Sequence, residues 1–195
     1  MTIELPTKPI YLETKRLLLR PFCDDDCHDL HGWASSINVT RQVNWDRHRN
    51  LDETREFIRI IKELSERNSL IFMAVELKST KQAIGSVGIF QRSDLSRYTL
   101  ELGYCLGEQW WGSGYILEAS LAIVDYGFLT MHYLERVEAN CVVENHASRR
   151  IMEKIGMQRE GVLRNFFEKD GKMHNSYMYS VLRQEWMSKH HPGSY

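Results

Sequence analysis

Glu101 stands inside an apolar run, Leu100-Glu101-Leu102-Gly103-Tyr104, and shortly after it the chain reads Gln109-Trp110-Trp111-Gly112-Ser113-Gly114-Tyr115. The second segment has the chemistry of an anion cradle. Its glycines let backbone N–H groups approach a bulky anion with no Cβ in the way, and a helix opening at Tyr115 would add unpaired N–H donors and its positive dipole end. It lacks the Lys-Ser/Thr ending of a nucleotide P-loop and the third glycine of the dinucleotide fingerprint. A plain strand-to-helix turn would call for the same glycines. A half-buried carboxylate at 101 would have its pKa raised towards the working pH and so suit proton abstraction. Strand alternation sets it on the face of Gly103 and Cys105, away from Leu100, Leu102 and Tyr104; a solvated Glu on a half-exposed sheet is the competing reading. Glu168, beside Phe166-Phe167, is the rival carboxylate, although a hairpin Glu more often pairs across strands.

Other reactive types are less organised. Cys23, Cys27, His28 and His31 lie close together, and on a helix 23, 27 and 31 would share a face. Zinc sites usually add a second, distant ligand pair, and ligands on one helix rarely close a tetrahedron. No metal is expected; buried thiols and surface histidines account for the cluster. Cys105 has no Cys-His-Asn/Asp order to activate it and reads as a buried strand thiol. Trp110 and Trp111 either shield a ligand or pack beneath the glycine loop. Trp33, Trp45 and the segment from Asn44 to Arg49, basic through Arg47, His48 and Arg49 with Arg41 nearby, suit either an acceptor cleft or solvated surface.

These residues need elements to hold them. Periodicity and punctuation predict a strand over Arg16 to Arg20, stopped by Pro21, then a helix from Asp24 to Ser35. Asn50 and Glu53 resemble a capping box opening a helix that ends near Asn68. Strands follow at Ile71 to Leu77, Ala83 to Phe90 and Tyr98 to Leu106. A long helix runs from Tyr115 to about Met131, then a strand from Arg136 to Val143 and a short helix from Ala147 to Ile155. Val162 to Glu168 and Met173 to Leu182 form a hairpin about Asp170-Gly171. Three consecutive strands with short links must be antiparallel, whereas the long helix allows its two flanking strands to be parallel. The expected fold class is α+β: a mixed, mostly antiparallel central sheet with helices on both faces.

The 195 residues carry 25 Lys+Arg against 26 Asp+Glu, a formal net charge of −1. That balance argues against nucleic-acid binding through a general basic field. One domain over 1–195 is expected, with 1–11 and 188–195 as loose ends. No window is apolar enough to span a bilayer, and the N-terminus has no apolar leader core, so no membrane partner and a cytoplasmic location are expected. Four cysteines are too few for a disulfide scaffold.

The ordered pieces resemble the GCN5-related N-acetyltransferase (GNAT) superfamily, and within it the RimJ/RimL branch of ribosomal-protein-alanine N-acetyltransferases. Thr14 to Arg20 resembles the opening strand and Ile84 to Ile89 the third. Gln109-Trp110-Trp111-Gly112-Ser113-Gly114 fits the Q/R-x-x-G-x-G/A motif. Asn145-x-x-Ser148, with Lys154-Ile155-Gly156-Met157 and Glu160-Gly161, resembles the late block. The resemblance covers Leu12 to Trp186. It implies acetyl transfer from acetyl-CoA to a primary amine, either a protein N-terminal α-amine or a small amine such as a polyamine, an aminoglycoside or an amino-acid derivative. A non-catalytic acyl-CoA-binding module on the same fold is the alternative.

By the same resemblance, the pantetheine arm would lie where two strands splay, bonded to the backbone of Tyr104, Cys105 and Leu106 and to the side chain of Asn145. The pyrophosphate would sit on N–H groups from Gln109, Trp110, Trp111, Gly112, Ser113, Gly114 and Tyr115. Glu101 would be the general base. Many members place a proton-donating Tyr where this chain has Met152, which leaves Ser148 or solvent to protonate the thiolate; Ser148 would equally serve as a helix cap. No metal is implied, and the chain would act as a monomer or homodimer.

Overall fold

The computed structural model describes residues 9–41, 43, 45–66, 70–91 and 98–193. Eight strands form one sheet: β1 (Leu12–Glu13), β2 (Leu17–Arg20), β3 (Leu70–Leu77), β4 (Gln82–Phe90), β5 (Thr99–Leu106), β6 (Arg136–Val142), β7 (Gln158–Lys169) and β8 (Lys172–Leu182), in the spatial order β1-β2-β3-β4-β5-β6-β8-β7. Every pairing is antiparallel except β5 with β6, which are joined by helix α4 (Tyr115–Thr130). The expected mixed α+β architecture is the one observed.

Helices cover both faces. On one side α4, α5 (His146–Ile155) and α6 (Arg183–His190) seal a core of Leu17, Leu19, Val87, Leu100, Leu102, Ile123, Phe128 and Trp186. On the other, α1 (Cys27–Ala34), α2 (Ile37–Thr40) and α3 (Leu51–Glu66) pack Leu30, Trp33, Val39, Ile58 and Ile61 against Ala74 and Ala83. The alternation of β5 follows from this division: its leucines enter the first core, and Cys105 packs against the second.

Local chemistry sets several boundaries. The Asn145 side chain accepts from the N–H of Ser148 and caps α5, which ends at Gly156 in the left-handed region. Asn50 Oδ1 accepts from Glu53 N as expected of a cap, but Glu53 Oε2 accepts from Arg49 N, one residue before the cap, in place of Asn50 N. The predicted end of α3 near Asn68 lies outside the described residues.

Some expectations change. The helix predicted over Asp24 to Ser35 begins as a 3-10 turn, Asp24–Asp26, before α1. The two residues of β1 and the single turn of α2 are too short to register as a period. The tail is not loose from 188: α6 runs to His190, Trp186 is 2% exposed and donates to Asp125 (2.8 Å), and His191 Nε2 lies 2.6 Å from the same carboxylate. At the other end Ile10 packs against the core, and 1–8 lie outside the described residues. No helix among the described residues is long and apolar enough to cross a membrane.

Candidate active site

The site begins where two strands part. β5 and β6 pair at Thr99–Arg136, Leu100–Val137 and Glu101–Glu138 and no further. Beyond that point β5 remains bonded to β4 as far as Leu106, and β6 to β8 as far as Val142. The facing edges from Leu102 and from Ala139 onward therefore diverge, leaving backbone groups of Tyr104, Cys105 and Leu106 on the open side of β5. A cavity of about 630 Å³ occupies the gap and continues towards α1 and α3.

Glu101 sits at the last paired position, half-buried, on the cavity wall. Its Oε1 accepts from Asn140 Nδ2 at 2.7 Å. That bond follows from register: Asn140 lies on β6 two residues beyond Glu138, so its side chain emerges on the same face as Glu101. Glu168 is exposed on the hairpin opposite Met173 and is not part of this wall.

Across the gap, α5 presents its first turn. Ser148 Oγ and Tyr104 Oη are 2.8 Å apart, and the phenol also lies 3.2 Å from the Ser148 carbonyl. Burial pushes the Tyr104 phenol well above its ordinary pKa, so it stays protonated. Cys141 reaches Ser148 as well, and burial raises its thiol to about 11. Burial drives Cys105 to about 12; both thiols stay neutral at physiological pH and lack thiolate character. Met152 is completely buried in the core.

The glycine loop lies between β5 and α4. Gly112 and Gly114 have φ of +77° and +76°, values that L side chains rarely adopt. Gly114 is the N-cap of α4, and a Cβ at Gly112 would meet nothing within 4 Å, so the loop's outer side is open. Arg16 holds the loop from below. Its Nη1 donates to Ser113 O (2.9 Å), its Nε to Glu118 (2.7 Å), and its guanidinium lies 4.3 Å from the Tyr115 ring centroid. Burial raises the Glu118 carboxyl, but the Thr14 hydroxyl, the Arg16 N–H and the Arg16 side chain outweigh it and hold it below its ordinary pKa. Trp110 packs against both cores, as core tryptophans do. Trp111 is 46% exposed, and its indole N–H donates to Leu106 O at 2.8 Å, capping the strand end.

Gln109, Trp111, Gly112, Ser113 and Gly114 are all exposed at this mouth. A loop with outward-facing backbone, a helix N-terminus behind it and an unpaired strand edge leading inward fit an extended thioester ending in phosphates. The model of the acetyltransferase (GNAT) domain matches residues 16–158.

The chain belongs to the GNAT acetyltransferase family.

It is 32% identical over 175 residues to the N-acetyltransferase p20 of Bacillus licheniformis, covering 90% of this chain and 97% of the relative. The [ribosomal protein uS5]-alanine N-acetyltransferase of Escherichia coli is 23% identical, over 91% of this chain and 93% of its own. A GNAT acetyltransferase structure from Bacillus anthracis superposes with a TM-score of 0.80 at 27% identity, covering 90% of this chain and all of that one. This GNAT member is an acetyl-CoA-dependent N-acetyltransferase with RimJ/RimL-type relatives.

The remaining sequence candidates separate. Cys23 is exposed and precedes α1, Cys27 is buried, His28 is exposed, and His31 Nδ1 meets the Thr54 hydroxyl at 3.0 Å. Among the described residues no three His, Cys, Asp or Glu side chains converge to hold a metal ion. Trp33, Trp45 and His48 line the cavity, whereas Arg41, Arg47 and Arg49 are exposed; Asn44 lies outside the described residues. Sequence reasoning missed Asn140, the Tyr104 hydroxyl and Arg16 as site residues. Strand alternation was the one signal that could have found Asn140.

Proposed function

We propose that this GNAT enzyme transfers acetyl directly from acetyl-CoA to a primary amine, with Glu101 as general base and Ser148, backed by Tyr104, as proton donor to the departing thiolate. The observation that carries the reading is the parting of β5 and β6 at Glu101. It sets an oriented carboxylate on one wall of the gap and a hydrogen-bonded hydroxyl pair on the other.

The cofactor's arm fits the unpaired edge at Tyr104, Cys105 and Leu106, with Asn145 at the opposite wall. Its pyrophosphate fits the N–H groups of Gln109 and of Gly112 to Tyr115, where Gly112 leaves room and the dipole of α4 favours negative charge; the Trp110 and Trp111 N–H groups, expected among these donors, already donate to Gly107 O and Glu108 O. When bound, acetyl-CoA supplies an activated carbonyl. The amine nitrogen forms a bond to that carbonyl carbon, the carbon–sulfur bond breaks, and the amine proton passes to Glu101, directly or through one water. Asn140 donates to Oε1 and so orients the carboxylate on the cavity wall. If Tyr104 donates to Ser148 Oγ, the Ser148 proton is left to point into the gap at the sulfur. Helix capping does not compete for this hydroxyl: the cap of α5 is Asn145, which takes the Ser148 backbone N–H, and not Ser148 as the sequence allowed.

The test is release of free thiol on mixing the protein with acetyl-CoA and an amine, one thiol per amide formed. A non-catalytic binding module would bind acetyl-CoA and release none. Affinity for CoA weaker than millimolar would sink the reading.

A further inference from the structure

The part of the cavity beyond Glu101 has a composition of its own. Its walls are Trp45, His48, Phe57, Phe72 and Phe90 on one side and Phe166 and Phe167 of the hairpin on the other. The rings form a continuous set: His48 lies 5.4 Å from Phe57 and 5.9 Å from Trp45, and Phe57 meets Phe72 edge-on at 6.2 Å. Among the described residues lining the whole cavity, Glu101 is the only carboxylate, and there is no Lys or Arg. Burial lowers the pKa of His48, against the pull of Glu53 and with the help of His31, so its ring is neutral at pH 7 and adds no charge.

The hairpin is built to supply its share of this wall. The β7–β8 register slips between Leu163 and Phe167, and Asn165 takes φ +48° there, its N–H donating to Asn175 Oδ1 at 2.8 Å. A bulge of this kind re-aims side chains, and Phe166 and Phe167 both reach the cavity. Lys169 then fastens the hairpin to the opposite loop. It donates to the Trp45 carbonyl at 2.6 Å and lies 3.1 Å from Asp46, with its own side chain only 10% exposed. Trp45 and the two phenylalanines are thereby held as facing walls.

A polycation such as a polyamine or an aminoglycoside needs a carboxylate or carbonyl for each buried ammonium. Among the described residues this aromatic part of the chamber offers one carboxylate, Glu101, at its inner end. We propose that the acceptor is a monoamine borne on a compact apolar body, an aromatic ring above all, held between Trp45–His48–Phe57 and Phe166–Phe167 with its nitrogen at Glu101. The proposal rests on the acetyltransferase reading above and narrows its acceptor.

The test uses thiol release by the whole protein at saturating acetyl-CoA. Across ethylamine, butylamine, hexylamine and 2-phenylethylamine, kcat/KM should climb by roughly threefold per buried methylene. 2-Phenylethylamine should exceed spermidine and kanamycin by tenfold or more. Phe167→Ala should raise KM for 2-phenylethylamine by about tenfold and affect ethylamine far less, with KM for acetyl-CoA unchanged. Equal losses on both amines would show a merely structural role for the ring and overturn the proposal. A flat series in the unmutated protein would overturn it as well, as would faster turnover of spermidine, kanamycin or a peptide with N-terminal alanine. All of those leave acetyl transfer standing; acetyl-CoA binding without thiol release from any acceptor would instead strike the transferase reading beneath it.

Discussion

At the scale of single residues, the proposed chemistry rests on a carboxylate, Glu101, and a hydroxyl, Ser148, that line one cavity. Amine attack needs the neutral nitrogen, and an alkyl ammonium with a pKa near 10 is almost wholly protonated at pH 7. Glu101→Gln keeps the shape and can still pair with Asn140, but it cannot take up a proton. General-base catalysis is worth ~10² to 10⁴ in rate, or about 3 to 5 kcal/mol of barrier. Steady-state rates should show kcat/KM falling within that range at neutral pH, with CoA affinity little changed. The deficit should narrow as pH rises and more amine is already neutral; a deficit constant with pH would assign Glu101 to positioning. On the other wall, Tyr104→Phe removes the donor behind Ser148 while leaving the ring in place. It should lower kcat by about tenfold with KM for acetyl-CoA unchanged, and Ser148→Ala should add little once Tyr104 is gone, because neighbours in one network do not act additively.

At the scale of elements, the proposed cofactor position rests on the glycine loop and the parted strands. Gly114 has positive φ at the N-cap of α4, so Gly114→Val strains the turn and sets a branched side chain against Arg16, whose Nη2 would lie 3.6 Å from the new Cβ. Calorimetry should show CoA affinity falling strongly while pantetheine, which has no phosphate, binds as before. Equal losses for both ligands would mean that the gap itself had closed. The succession of strands along the chain after β1, the long helix after the loop and the possibility of a parallel pair across it were legible in the sequence, because each rests on a local period or on the length of a connection; the place of β8 between β6 and β7 was not. The loop's Gly-x-Gly spacing was legible too. What was not legible depends on register between distant residues. Tyr104 and Ser148 are separated by 44 positions, and Glu101 and Asn140 by 39. Lys169 finds Trp45 only because the hairpin folds back over the Trp45–Asp46 segment. α6 was not legible beyond the strand that ends at Leu182, because its buried residues, Trp186 and Met187, are adjacent and give no helical period.

At the scale of the whole molecule, the cavity stays shaped only if the α1–α3 layer stays on the sheet, since Leu30, Trp33 and Phe57 belong to its wall. Arg20 of β2 is the bolt. Its guanidinium binds Asp26 through Nη1 and Nη2 (2.8 and 2.7 Å) and Glu76 of β3 through Nε (2.7 Å), and Asp26 also accepts from Cys23 N. Asp26 is 3% exposed and Glu76 7%. Burial raises the Asp26 carboxyl, but the hydrogen bonds from Arg20 and from the Cys23 backbone outweigh it and leave the pKa below its ordinary value. A carboxyl depressed in the folded state contributes stability that is fully present above its unfolded pKa, near 4, and is lost as pH falls through the lower folded value. Asp26→Asn leaves Arg20 short of a buried partner and should cost about 3 kcal/mol at pH 7. In a protein of this size that corresponds to a Tm lower by roughly 6 to 12 °C. Thermal unfolding of both proteins from pH 7 down to pH 2 measures the rest: the gap in Tm should hold to about pH 4 and then close as the unmutated Asp26 takes up its proton. A gap that persists undiminished at pH 2 would show that the bolt works through the shape and hydrogen bonding of Asp26, with its charge contributing nothing.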